Sequence, residues 1–329
     1  MHYRKLGQTD IDVSVISMGC WAIAGDQFWG SQDERDAIEA IRTAVDCGIN
    51  FLDTAEGYGD GASEELVGKA LKGRRDQVIL ATKVSSQHLA PEDLRAACEA
   101  SLTRMRTDYL DVYYIHWPNW DVPFSETYAA LSRLKEEGKI RVIACSNFGK
   151  RDLPELLREG RVEANQLPYN LLWRGIEYEI LPLCIQNNVS VTCYSPLLHG
   201  LLTGKFRSVE DLPPNRIRTR HMAPERMGVR HSESGAEQET FAAVDRIRDL
   251  AEQAGMPMAQ LAIAWVLHQK GVTSVIVGAR NPDQVRANAA AAAVTLSADV
   301  LVQLDEITQP LKAHFGTNVD MWDTESRIR

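Results

Sequence analysis

Apolar positions recur along this chain in two alternating periods. Short, nearly unbroken apolar runs fall at residues 16–19, 49–53, 78–82, 110–115, 140–145, 163–166, 190–193 and 273–277. Runs of that length without polar alternation are what strands in a parallel sheet look like when helices cover their outer face. The segments between them have helical spacing. In 33–47, Ile38, Ile41 and Val45 share one face and Gly48 follows as a stop. Further helical windows span 63–71, 91–104, 124–137, 151–158, 176–187, 239–253, 258–268, 281–293 and 298–307, with Pro91 at a first helical turn, where its missing N–H costs nothing.

Strand and helix thus alternate through the chain, which predicts an α/β fold of the (β/α)8 TIM-barrel type. Two strand-like pieces around Gly7-Gln8-Thr9-Asp10 predict an N-terminal β-hairpin ahead of the barrel, and the helix at 298–307 is extra. A single domain over 1–329 is expected. Periodicity lapses at 206–235, which carries Pro213-Pro214 and several arginines and reads as a loop over an active site. The tail 315–329 has too little apolar content for a core of its own.

Composition narrows the class. Of 329 residues, 44% are hydrophobic and 25% charged, as in soluble globular proteins, and the formal net charge of -9 argues against nucleic acid or an anionic membrane as partner. The six cysteines form no C-x-x-C pair and several lie in apolar runs, as expected of reduced thiols in a cytoplasmic protein. No apolar leader opens the chain and no apolar stretch reaches spanning length. The oligomeric state is left open.

The chemistry sits where strands end. In a parallel barrel every strand delivers its C-terminal end to one face, so residues far apart in sequence meet at one mouth. Asp53 and Tyr58 follow one strand, Lys83 the next, and His116 the next. A lysine directly after an apolar strand needs a carboxylate partner, and Asp53 is the natural one. The cation would lower the pKa of Tyr58 towards the range of a general acid or base. His116 could then donate a hydrogen bond to a carbonyl oxygen as charge builds on it. No H-E-x-x-H or comparable ligand pair is present, so no metal is expected.

Neither a G-x-G-x-x-G nor a Walker-type loop occurs, so a nicotinamide cofactor would bind without a Rossmann unit. Ser146, Asn147 and Gln166 offer groups that grip a carboxamide, and Tyr194 offers a flat face for a planar ring. Gly278-Ala279-Arg280 leads into a helix bearing Gln284 and Asn288, where backbone N–H groups and a guanidinium suit a phosphate.

Taken together, D-T-A-x-x-Y-G at 53–59, T-K at 82–83, I-H-x-P at 115–118, S-N-F at 146–148, Q-x-x-Y-N at 166–170, Y-S-P-L at 194–197, G-L-L-T-G-K at 200–205 and G-A-R-x-x-x-Q at 278–284 resemble the aldo-keto reductases over most of the chain. The resemblance implies an NADPH-dependent oxidoreductase with a catalytic tetrad of Asp53, Tyr58, Lys83 and His116. It implies that Ser146, Asn147 and Gln166 hold the carboxamide, that Tyr194 stacks on the nicotinamide, and that Ser195, Leu197 and Lys205 line the pyrophosphate. Arg280 would meet the 2′-phosphate, with Gln284 and Asn288 at the adenine. Val277 stands where many members carry proline, and the tail belongs to none of the shared motifs.

The reading that follows is reversible hydride transfer between NADP(H) and a small aldehyde, ketone or sugar, with Trp21, Phe28, Trp29, Trp117 and Trp120 shaping the substrate cleft. Two alternatives stand beside it: a polyol or sugar dehydrogenase working mainly in oxidation, and a redox-sensing NADPH-binding regulatory subunit with little turnover.

Overall fold

The computed structural model describes residues 1–216 and 218–329. An antiparallel hairpin, β1 (Tyr3–Lys5) with β2 (Asp12–Ser14), precedes eight parallel strands. These are β3 (Ile16–Gly19), β4 (Phe51–Asp53), β5 (Ile79–Val84), β6 (Leu110–Ile115), β7 (Ile140–Ser146), β8 (Ala164–Pro168), β9 (Ser190–Tyr194) and β10 (Val272–Gly278). They close in chain order, the last strand pairing with the first through Val275 opposite Ile16 and Gly278 opposite Gly19. The predicted (β/α)8 barrel, its hairpin and its extra helix are all present.

Outside lie α1 (Glu34–Asp46), α2 (Ala62–Ala70), α3 (Pro91–Met105), α4 (Phe124–Glu136), α5 (Asp152–Glu159), α6 (Ile180–Gln186), α7 (Glu237–Gln253), α8 (Met258–His268), α9 (Pro282–Ala290) and α10 (Ala298–Phe315). Three start on side-chain caps: Asp33, Asn281 and Ser297 accept the N–H of Asp36, Gln284 and Val300. Where 176–187 reads as one helix in sequence, the chain makes a separate 3₁₀ turn at Gly175–Glu177 before α6. The last helix also outruns its predicted end at 307. It continues through Pro310 to Phe315, because Leu304, Ile307, Leu311 and Phe315 keep one face buried across the proline.

Successive side chains of a strand point to opposite sides, and this alternation sorts the barrel. Phe51, Ala81, Val112, Tyr114, Val142, Ala144 and Ala164 point inward and pack into one internal cluster with Leu6, Ile11 and Val13 of the hairpin, which closes the far end. Gly7 sits in the hairpin turn at φ 58°, and a Cβ there would lie 2.2 Å from the Glu163 carboxylate, so only glycine lets the hairpin seat. One inward position further along each strand come Asp53, Lys83, His116, Ser146 and Gln166. The interior is thus filled below and polar above. Among the described residues no single helix is long and apolar enough to cross a membrane.

Candidate active site

Asp53 and Lys83 are buried at the ends of β4 and β5, with Lys83 fully enclosed. The Lys83 ammonium has three acceptors: Asp53 Oδ1 at 2.7 Å, the Thr54 carbonyl at 2.8 Å and the Tyr58 hydroxyl at 3.2 Å. All three donors of a buried ammonium are thereby used, which is what makes its burial tolerable. Burial alone would lower the Lys83 pKa; Asp53 and Tyr58 outweigh it and raise it, so the ammonium stays charged. Asp53 Oδ2 accepts from Gln166 Nε2 at 2.8 Å, which fixes the carboxylate from its other side.

Tyr58 follows β4 on a turn and faces a cavity of about 1200 Å³ at the strand ends. His116, at the end of β6, faces the same cavity, its ring edge-on to that of Tyr58 with centroids 5.7 Å apart. Burial pushes the His116 imidazole down to about 3, aided by the Lys83 charge, so the ring is neutral and each nitrogen is a single donor or acceptor. For Tyr58 the structure corrects the sequence expectation. Burial raises its pKa more than Lys83 lowers it, with Asp53 adding to the rise. The phenol is therefore held as a protonated donor beside a cation, a state suited to giving up a proton once a basic oxygen arrives.

All of the residues expected at a cofactor line this cavity: Ser146, Asn147, Gln166, Tyr194, Ser195, Leu197, Lys205, Gly278, Arg280, Gln284 and Asn288. Several are engaged with one another. Ser146 Oγ donates to the Gln166 carbonyl, Asn147 Nδ2 donates to the His116 carbonyl, and Tyr194 Oη donates to Asn147 Oδ1 at 2.9 Å. Gln166 spends one of its two side-chain amide N–H donors on Asp53, and its side-chain oxygen is available to accept from a carboxamide. Asn147 and Ser195 hold φ of 65° and 54°, a conformation that side chains other than glycine adopt at a cost and that here aims both into the cavity.

Arg280 uses its guanidinium on the loop after β3. Nε donates to Gln32 Oε1 at 2.7 Å, Nη1 to the Trp29 carbonyl at 2.9 Å, and Nη2 to the Ser31 carbonyl. These acceptors are neutral, so its charge stays uncompensated. Arg216, from the 206–235 loop, lies nearby with its Nε buried and without a partner among the described residues, and burial and the charge of Arg280 both lower its pKa. The same loop segment is tied down through Asn215, which donates to the carbonyls of Phe28 and Gln27.

Of the aromatic residues expected at the substrate, Trp21, Trp29, Trp117 and Trp120 line the cavity. Phe28 does not. It is buried behind Trp21, rings stacked at 4.7 Å, because Asp26 accepts the N–H groups of Phe28 and Trp29 and the indole N–H of Trp21 and so folds the loop inward.

The tail supplies two wall residues that the sequence reading missed, Trp322 and Arg327. It is ordered by the barrel: Val319, Asp320, Met321 and Ile328 are buried, and the Arg329 carbonyl accepts the N–H groups of Arg151 and Asp152. Its unusual aromatic and charged composition, MWDTESRIR, was the one available signal. Arg216 was likewise hidden among the arginines of a segment without periodicity.

The family model for the aldo/keto reductases matches residues 15–309. The chain is 36% identical over 334 residues to the NADH-specific methylglyoxal reductase of Escherichia coli K12, covering 93% of this chain and 98% of that one. Among solved structures it is similar to the glycerol dehydrogenase AKR11B4 of Gluconobacter oxydans, at TM-score 0.81 and 30% identity over 97% of each chain. It is also similar to an aldo/keto reductase of Klebsiella pneumoniae in complex with NADP and acetate, at TM-score 0.73 and 34% identity over 90% of this chain and 92% of that one.

Proposed function

The chain belongs to the aldo/keto reductase family, and from that premise we propose that it is an NADP(H)-dependent oxidoreductase of carbonyl and alcohol groups, reducing small aldehydes, ketones or sugars. The observation that carries the reading is a cavity-facing phenol 3.2 Å from a buried, charged lysine, with a neutral imidazole opposite. The cofactor fits on the chemistry of its donors. Lys205, Arg216 and Arg280 line one side of the cavity with no carboxylate in ion-pair contact among the described residues, and Arg216 Nε is left without a partner, as a site built for phosphate groups would be. In this assignment Lys205 and Arg216, with Ser195 and Leu197, meet the pyrophosphate, and Arg280, with Gln284 and Asn288, the adenosine end. Asn281, next to Arg280 in the chain, caps the start of α9. Ser146, Asn147 and the Gln166 side-chain oxygen hold the carboxamide, and Tyr194 backs the ring.

A bound reduced nicotinamide would supply hydride to the carbonyl carbon. Tyr58 gives its hydroxyl proton to the carbonyl oxygen, and the phenolate left behind is stabilised by Lys83 at hydrogen-bond distance. Asp53 keeps Lys83 charged and in place, while Gln166 fixes Asp53. His116, neutral, donates to the same oxygen and orients it. Trp21 stacks beside Tyr58 at 5.9 Å and with Trp29 and Trp117 excludes water. Oxidation reverses these roles and requires Tyr58 to start as the phenolate, the form that its raised pKa makes scarce. The likeness to a glycerol dehydrogenase supports the oxidative reading as second choice. All six cysteines are free thiols, in keeping with a cytoplasmic protein.

Steady-state rates for a panel of aldehydes, ketones, sugars and polyols, in both directions and with both nicotinamides, test the proposal. Reduction with NADPH should exceed every other combination. Tight NADPH binding without turnover of any carbonyl would replace it with the regulatory reading.

A further inference from the structure

The tail puts one charged group into the cavity wall next to His116–Trp117, and the surroundings of that group fix what it can bind. Asp320, wholly buried, holds the Arg327 guanidinium as a fork: Nε donates to Oδ2 at 2.7 Å and Nη2 to Oδ1 at 3.0 Å, while the Arg327 and Trp322 backbone N–H groups take up the remaining lone pairs. Asp323 Oδ2 lies 3.0 Å from Arg327 Nε and also pairs with Arg230. The guanidinium lies 4.2 Å over the Trp117 ring and 5.9 Å from that of Trp322. Two carboxylates thus balance two cations. Nη1, with two donors, has no protein partner among the described residues, and Arg327 lines the cavity.

A cation balanced in this way gains little from a further carboxylate, which would have to shed its water for little net attraction. An uncharged oxygen loses far less on desolvation and still receives a charge-assisted hydrogen bond. The two indole faces beside it give the carbon skeleton flat apolar contact. We propose that Arg327 is a specificity-determining residue whose Nη1 donates to a second, uncharged oxygen of the substrate. The enzyme is then selective for hydroxylated or oxo-substituted carbonyl compounds over plain carbonyls of the same length, and does not favour carboxylated ones. This rests on the carbonyl-reduction reading above.

The test compares kcat/KM for glyceraldehyde against propanal, and for succinic semialdehyde against butanal, with NADPH. Wild-type enzyme should prefer glyceraldehyde by about tenfold or more, since a site built to bond an oxygen rejects the analogue lacking it. Because Arg327→Met leaves Asp320 buried and unpaired, the double variant Asp320→Asn/Arg327→Met accompanies it, and Arg327→Lys retains the charge without the fork. In all three the preference should fall towards unity, mainly through KM for glyceraldehyde, with propanal within about threefold of wild type. An unchanged ratio, or equal losses on both aldehydes, would overturn the proposal. So would a wild-type preference for succinic semialdehyde over butanal that disappears in the variants, since that marks an anion site. Wild-type enzyme that reduces none of the four fails at the reaction itself, and the proposal goes with it.

Discussion

On the side of the cavity built after β9 and β10, Lys205, Arg216 and Arg280 carry charge with no carboxylate in ion-pair contact among the described residues; on the side built after β4, β5 and β6 and walled by the tail, the cations nearest Tyr58 and His116 are each paired with a carboxylate. Lys83 faces Asp53 there, Arg327 faces Asp320, and His116 is neutral. Uncompensated cations held close together cost free energy until an anion arrives, so the first side binds through charge. In the proposed reading the paired side offers little attraction to a net charge and stabilises the charge that develops on one oxygen during reaction. That reading assigns binding and chemistry to different electrostatic environments within one cavity.

The sharpest way to break this division is Tyr58→Phe, which removes the proton donor and keeps the ring. Turnover should fall by about a thousandfold or more, while dinucleotide affinity measured by fluorescence titration stays near wild type. Activity within tenfold of wild type would take Tyr58 out of the proton transfer, and an equal loss of affinity would show that the two sides are not separable.

Smaller effects sharpen the first side. Arg280→Ala should weaken NADPH by about ten- to a hundredfold and NADH much less, as expected for loss of one charge-assisted contact to a 2′-phosphate. Arg216→Gln should weaken both nicotinamides equally. Added salt should raise the dissociation constant of either dinucleotide while leaving KM for an uncharged aldehyde unchanged. Equal losses for both nicotinamides in Arg280→Ala would move Arg280 away from the 2′-phosphate.

The smallest effect is on stability. Burial, with nearby arginines, pushes His199 down to about 3, and burial pushes His221 down to about 4. The unfolded chain takes up these protons from about pH 6.5 downward while the folded chain resists, so stability is full above that pH and is lost as pH falls towards 3. The melting temperature should drop by a few degrees from about pH 7 to about pH 5, and His199→Gln should shallow that slope. A melting temperature that does not move over this range would count against buried neutral imidazoles.

The barrel and the inward row of Asp53, Lys83, His116, Ser146 and Gln166 were legible in sequence, because strand length and the two-residue alternation are local properties that register only repeats around the ring. What local pattern does not carry is enclosure and long-range docking. Tyr58 keeps a higher pKa than its cation alone would give because of how much of the protein surrounds it, and Phe28 retreats behind Trp21 because Asp26 folds its loop. The last helix runs through Pro310 because a buried face continues beyond it. Arg216, Trp322 and Arg327 reach the cavity only because loop and tail are docked by contacts with segments far away in the chain. Sequence by itself therefore determined which strand-end residues share the mouth of the barrel; the tertiary structure decided their protonation and which loop and tail residues close over them, since desolvation and docking depend on every neighbour at once.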